Sequence, residues 1–274
     1  MSEIALQIKP DEQTPEAAEV LVQGAVGDRA YRFLLDTGAA HSCLLYDDYS
    51  KRFQSREKEE SSGLFGGSRY DLIDIPSIEL GPIKRKPFTL HRQSPDAAVQ
   101  RNLIGMDLLK EHRCHFLFSR DALIIDPAAS VQLTDELVPL TMDRRFHPYL
   151  EIAVGEGHGN ATWDTGAGIT VVDTVFIHEH PERFKALEPS LGTDSAGETR
   201  QTPMFTMQGL RLQGLLFPSH TVAGVDLSHV NRNIETPMDM ILGYSSLRLA
   251  DWYFDFPRRK WKITRMIDAG KTVP

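Results

Sequence analysis

Phe33-Leu34-Leu35-Asp36-Thr37-Gly38-Ala39 and Ala161-Thr162-Trp163-Asp164-Thr165-Gly166-Ala167 are two versions of one phrase. In each, a short apolar run ends on an aspartate, and Thr-Gly-Ala follows. The aspartates stand 128 positions apart (164 − 36). A single tetrapeptide is weak evidence, because short motifs match by chance. Two copies in equivalent surroundings point to two half-sites built to meet.

The repeat extends outward from both aspartates. Upstream, Val20 to Val26, a Gly27-Asp28-Arg29 turn and Tyr31 to Leu35 read as a β-hairpin entering Asp36. Tyr149 to Val154, a turn from Gly155 to Asn160, and Ala161 to Trp163 enter Asp164 in the same way. Downstream, Leu103-Ile104-Gly105 and Ile241-Leu242-Gly243 recur in the same order. Each is followed by a short helical piece, Met106 to Lys110 and Tyr244 to Leu247. Strand-like sequence then runs from His115 to Asp126 and from Trp252 to Thr264.

Between aspartate and glycine, each half carries a small-residue turn: Gly63 to Tyr70, containing Leu64-Phe65-Gly66-Gly67, and Asp194 to Thr199, containing Ala196-Gly197. Such turns suit a movable cover over a site. The first repeat ends around Ser130 to Val138, so lobes of 1–135 and 136–274 are expected. Strand periodicity dominates, and Arg183 to Leu187, after Pro181, is one helix candidate.

The 274 residues can bury one large core or two ordinary ones. A hydrophobic fraction of 41% and a charged fraction of 25% exclude wholesale disorder. The net charge of −8 argues against nucleic acid or an anionic membrane surface as the main partner. No apolar run approaches membrane-spanning length. Met1 to Leu6 lacks the basic start and apolar stretch of a secretory signal. A cytoplasmic protein is expected, with its two cysteines, Cys43 and Cys114, as reduced thiols.

With these residues in view, the chain resembles the aspartic peptidases of the pepsin and retropepsin type. The resemblance rests on the two Asp-Thr-Gly-Ala loops, the two apolar-apolar-Gly segments and the glycine-rich turn between them. Their order covers nearly the whole chain. The alanine after each glycine, the compact halves and Leu64-Phe65-Gly66-Gly67 are similar to retropepsins, and the whole resembles a retropepsin dimer fused into one polypeptide. The second turn lacks the double glycine, and only 35 residues precede Asp36, with no pepsin-like pro-segment among them.

The resemblance implies an all-β, bilobal acid-protease fold with pseudo-twofold symmetry and a cleft between the lobes. It implies an endopeptidase that acts as a monomer on peptide or protein substrates, without cofactor or metal. Asp36 and Asp164 would activate water and protonate the scissile carbonyl, sharing one proton because like charges so close do not both ionise cheaply. Aspartic peptidases as a family share a proton in this way. Gly38 and Gly166 would admit backbone N–H groups to the carboxylates, and Thr37 and Thr165 would lock the loops together. Ala39 and Ala167 lack the hydroxyl that stabilises the ionised pair in pepsins, so a less acidic optimum is expected. Leu64, Phe65, Gly66, Gly67, Ala196 and Gly197 would cover an extended peptide. Leu64 and Phe65 point to hydrophobic side chains about the scissile bond. A non-hydrolytic peptide-binding protein on the same fold is the alternative.

Other motifs have plainer readings. His178-Glu179-His180 lacks a third ligand at metal spacing. Gly155-Glu156-Gly157-His158-Gly159 lacks the Gly-Lys-Ser/Thr of a nucleotide loop and reads as a turn. Asn160-Ala161-Thr162 matches a glycosylation sequon by coincidence. Arg258-Arg259-Lys260-Trp261-Lys262 reads as a solvated strand face. His41 and Cys43 take core or rim positions.

Overall fold

The computed structural model describes residues 3–62, 67–97, 99–127, 137–193 and 199–267. The expected lobe boundary at 135/136 lies outside them. The chain is nearly all strand and forms two lobes, each built on a ten-stranded sheet, over a shared six-stranded one. The first large sheet runs Ser55–Ser62, Gly67–Ile75, Phe88–Gln93, Cys43–Leu44, Leu103–Ile104, Arg29–Leu35, Ala18–Val26, Ile78–Leu80, Ile83–Arg85. The second runs Phe184–Thr193, Thr199–Met207, His220–Val225, Thr170–Asp173, Met240–Leu242, Gly157–Trp163, Pro148–Val154, Leu210–Leu212, Leu215–Leu216. The two orders correspond strand for strand. Even the extra strands agree, since Gln7–Pro10 pairs with Ala18–Val26 as Thr141–Met142 pairs with Pro148–Val154.

Each lobe gives three strands to the six-stranded sheet, in the order Glu3–Ala5, Ala122–Ile125, Arg113–Leu117, Ala250–Asp255, Lys260–Met266, Val138–Pro139. The lobes meet where Arg113–Leu117 pairs antiparallel with Ala250–Asp255, with His115 opposite Tyr253 at the middle. Above this junction, Phe116, Trp163, Trp252, Phe254 and Trp261 pack ring against ring at centroid separations from 4.6 to 6.1 Å. One apolar core therefore continues from lobe to lobe. Burying side chains of this size contributes roughly 1.5–3 kcal/mol each before entropy is counted, so apolar burial holds the lobes together at this seam.

Several local readings need correction. The turn after Val154 is two residues, not six, because Gly157 to Asn160 continue as strand opposite Glu151 to Val154. Their glycines answer to packing: a Cβ on Gly157 would run into the His180 ring, and one on Gly159 would lie 2.6 Å from Asp239 Oδ2. Residues 183–187 are not a helix. Pro181–Arg183 makes one 3-10 turn, and Phe184–Thr193 is strand, its first residues paired with Met207 to Met204. The helix lies earlier, at Thr174–Glu179, where the Asp173 carboxylate accepts from Val175 N at 3.1 Å. His115 to Asp126 and Trp252 to Thr264, read as strand-like sequence, each fold as two antiparallel strands. The basic run 258–262 is not a uniformly solvated face, because the ladder to Ala250–Asp255 draws Trp261 into the aromatic core and buries Lys262.

Candidate active site

Each aspartate sits where its sheet is forced open. Strand Arg29–Leu35 ends at Asp36, and the chain returns as Cys43–Leu44 with a gap between them. Leu103–Ile104 fills that gap, parallel to the first and antiparallel to the second. In the second lobe Met240–Leu242 fills the gap between Gly157–Trp163 and Thr170–Asp173. The wide loop that results projects its aspartate, and the filler strand supports it: Asp36 N donates to Ile104 O at 2.9 Å, and Asp164 N to Leu242 O at 3.0 Å.

This geometry explains the apolar-apolar-Gly segments. A Cβ on Gly105 would stand 2.6 Å from the His41 carbonyl carbon, and one on Gly243 would strike the Ile169 carbonyl. Only glycine lets the filler strand pass beneath the loop. The helices Met106–Leu109 and Tyr244–Leu247 then catch the loop ends, with Met106 N donating to Ala39 O at 2.8 Å and Tyr244 N to Ala167 O at 2.9 Å.

The two loops meet head to head. Thr37 N donates to Thr165 Oγ1 at 3.2 Å, and Thr165 N to Thr37 Oγ1 at 3.1 Å. Each hydroxyl in turn donates into the opposite lobe, Thr37 Oγ1 to Trp163 O at 2.9 Å and Thr165 Oγ1 to Leu35 O at 2.6 Å. Both threonines are wholly buried. Gly38 N donates to Asp36 Oδ1 at 3.0 Å and to Asp164 Oδ1 at 3.2 Å, so one N–H bridges the two carboxylates. Gly166 N donates to Asp164 Oδ1 at 2.8 Å. Cβ atoms at these glycines would collide with the carboxylate of the opposite lobe.

Burial pushes the Asp36 carboxyl well above the usual range, and the neighbouring Asp164 charge pushes it further. Asp164 is also raised by burial, but the Gly166 and Gly38 amides, with His147 nearby, hold it down in part. Asp164 accepts two backbone N–H groups and Asp36 one, so the proton of the pair favours Asp36.

The structure thus brings Asp36, Thr37, Gly38, Ala39, Asp164, Thr165, Gly166 and Ala167 into one constellation. Leu64, Phe65, Gly66, Ala196 and Gly197 lie outside the described residues, and Gly67 opens the strand Gly67–Ile75. The arms of the two hairpins occupy equivalent places in the two sheets. On the first, the Tyr70 ring stacks on His91 at 5.2 Å, and His91 lies 4.7 Å from His41. His41 is a rim residue, and Cys43 is buried, as is Cys114.

Sequence reasoning missed the brace beneath each loop. Ser42 Oγ donates to Asp107 Oδ1 at 2.6 Å and accepts from Gly105 N at 3.0 Å, while Ser42 N donates to Asp107 Oδ2. Burial raises the Asp107 carboxyl. In the second lobe Thr170 Oγ1 accepts from Gly243 N at 3.1 Å, and Thr170 N donates to Ser245 Oγ. Ser42 and Thr170 each follow their aspartate by six positions, so a longer comparison of the halves would have found them.

Residues 22–108 match a family model described as aspartyl protease. The match supports an aspartyl protease family. It takes in Asp36, the first hairpin, Gly105 and Asp107, and with them it supports a peptidase in general terms. Comparison with curated proteins returned no match. Among the described residues, no helix is long and apolar enough to cross a membrane.

Proposed function

We propose that the protein is an aspartic endopeptidase in which Asp36 and Asp164 jointly activate a water molecule. The observation that carries this reading is the Gly38 N–H shared by both carboxylates inside a reciprocal Thr37–Thr165 clasp. Asp164, with two amide donors, takes a proton from water as its oxygen attacks the scissile carbonyl carbon. Asp36 gives its proton to the carbonyl oxygen. The resulting diol collapses as the C–N bond breaks: Asp36 takes back a diol hydroxyl proton, and the amine nitrogen receives the proton held by Asp164. One proton on the pair is the working state, so activity fades when both carboxylates are protonated or both ionised.

The strand-for-strand duplication, including both hairpin arms, supports a fused retropepsin-like pseudo-dimer acting as a monomer on extended peptide or protein segments. Ala39 and Ala167 offer no hydroxyl to the ionised pair, which supports an optimum less acidic than that of gastric enzymes. The test is peptide-library cleavage by the wild type, Asp36→Asn and Asp164→Asn across pH. Cleavage by the wild type alone is expected. No cleavage at any pH, or cleavage surviving both substitutions, would sink the assignment.

A further inference from the structure

We propose that Arg101 selects substrates carrying an aspartate or glutamate side chain beside the scissile bond. This rests on the peptidase reading above and adds a substrate class to it.

Leu21 lies opposite Leu34, and Leu34 beside Leu103, so these three share one face of the sheet. By that parity Glu19, Asp36 and Arg101 fall on the same face, Glu19 level with Asp36 and Arg101 level with Arg32 further back along the strand. The other face carries Val20, Val22, Phe33, Leu35 and Ile104, all in the core. Arg101 therefore lies on the face that bears the Asp36 carboxylate. Its side chain extends along that face, because Arg101 Nη1 is 3.9 Å from Glu19 Oε1, and Glu19 is level with Asp36. The guanidinium is thus drawn toward the catalytic end of the strand, and its positive charge is felt at Asp36.

The charge there is not cancelled. Glu19 is held more closely by Lys9, whose Nζ is 2.9 Å from Oε2, so two cations share one carboxylate and a positive charge remains. The Arg101 side chain is 30% exposed, open enough to meet a ligand. A planar guanidinium is suited to bidentate pairing with a carboxylate.

The second lobe has no such cation at the matching place. Ile241 lies beside Thr162 as Leu103 lies beside Leu34, which makes Asp239 the counterpart of Arg101. The Asp239 carboxylate is already occupied, accepting from Asn160 N at 2.9 Å. Near it Tyr149, Met238 and Ile241 belong to an apolar cluster separate from the main core. The first lobe therefore offers a cation where the second offers none, which gives a bound peptide a preferred direction.

The experiment compares wild type, Arg101→Gln and Arg101→Glu on full-length protein of verified fold. Peptides vary one position at a time among Glu, Gln and Lys. The wild type should prefer Glu over Gln at one position flanking the cleaved bond by roughly tenfold in kcat/KM, the scale of one charge-assisted contact. Arg101→Gln should flatten the preference, and Arg101→Glu should turn it toward Lys. A wild type indifferent to Glu, or a preference that survives Arg101→Gln, overturns the proposal. So does a shifted pH profile with the preference unchanged, which would make Arg101 only a modulator of Asp36. The same peptides are titrated against Asp36→Asn with and without Arg101→Gln. If the wild type cleaves nothing, the peptidase reading fails, and this binding arm still decides whether Arg101 favours acidic peptides.

Discussion

Thr37 and Thr165 each accept a hydrogen bond from the other's backbone N–H, at 3.1 and 3.2 Å, across the seam between the lobes. Because each hydroxyl also donates to the carbonyl just before the opposite aspartate, the position of Asp36 is set by the second lobe and that of Asp164 by the first. The site is a property of the interface, and neither half holds it alone.

Removing one hydroxyl should therefore disturb both loops. Thr165→Val leaves the Thr37 N–H and the Leu35 carbonyl without these partners in a dry environment. At roughly 1–3 kcal/mol for each buried unsatisfied group, a loss of about 2–6 kcal/mol is expected. Thr165→Ser, which keeps the hydroxyl, should lose far less. Chemical denaturation of the two variants checks this, and equal losses would show that the methyl group matters more than the hydrogen bonds.

The paired carboxylates should weaken the fold as pH rises. Burial raises both Asp36 and Asp164 above the unfolded value of about 3.9. A carboxyl raised on folding stabilises fully below the unfolded pKa, and that contribution is lost as pH climbs through the folded values. Asp36→Asn and Asp164→Asn remove the cost of ionisation, so each should melt higher than the wild type near pH 7. The gap should close toward pH 4. A gap independent of pH would count against strong burial of the pair.

Much of this was legible in the sequence, for a physical reason. The Asp-Thr-Gly-Ala loops and the apolar-apolar-Gly segments meet the same steric demand twice, so they recur with the same residues. Thr170 repeats the offset of Ser42, but its link through Ser246 to His220 was not legible, because the three lie 26 to 76 positions apart. Gly157 to Asn160 misled in the opposite sense, since residues chosen for close packing look like turn formers. Arg183 to Leu187 looked helical after Pro181, but pairing of Phe184 to Leu187 with the strand Thr199–Met207 outweighs local propensity.

Glycines at the site should separate activity from stability. In Gly38→Ala the new methyl would lie 2.5 Å from Asp164 Oδ2, so the carboxylate must shift. A misplacement of that order near reacting groups costs on the order of 10²-fold in rate. In Gly243→Ala the obstacle is the Ile169 backbone, which cannot turn aside as a side chain can. Gly38→Ala should lose kcat with a melting temperature near that of the wild type, and Gly243→Ala should lose both. Parallel kcat and melting measurements test the contrast.

Acid should loosen the second lobe through His220. Burial lowers its pKa, so the folded protein keeps the ring neutral. Nδ1 lies 2.8 Å from Pro218 O and donates there, which leaves Nε2 to accept from Ser246 Oγ at 2.7 Å. Ser246 Oγ touches Thr170 Oγ1, and Thr170 accepts from Gly243 N beneath the catalytic loop. A histidine depressed on folding contributes stability above its unfolded pKa of about 6.5, and this is lost as pH falls through the folded value. Glu16 and Arg248 act on the ring with opposite signs, and burial outweighs both. His115, also lowered by burial, adds to the same trend at the interlobe sheet. Between pH 7 and pH 5 the wild type should therefore lose denaturation midpoint relative to His220→Gln. Identical slopes in the two proteins would place the acid sensitivity elsewhere. The acid-sensitive His220 contribution and the raised Asp36–Asp164 pair both support the proposed working range above that of gastric enzymes.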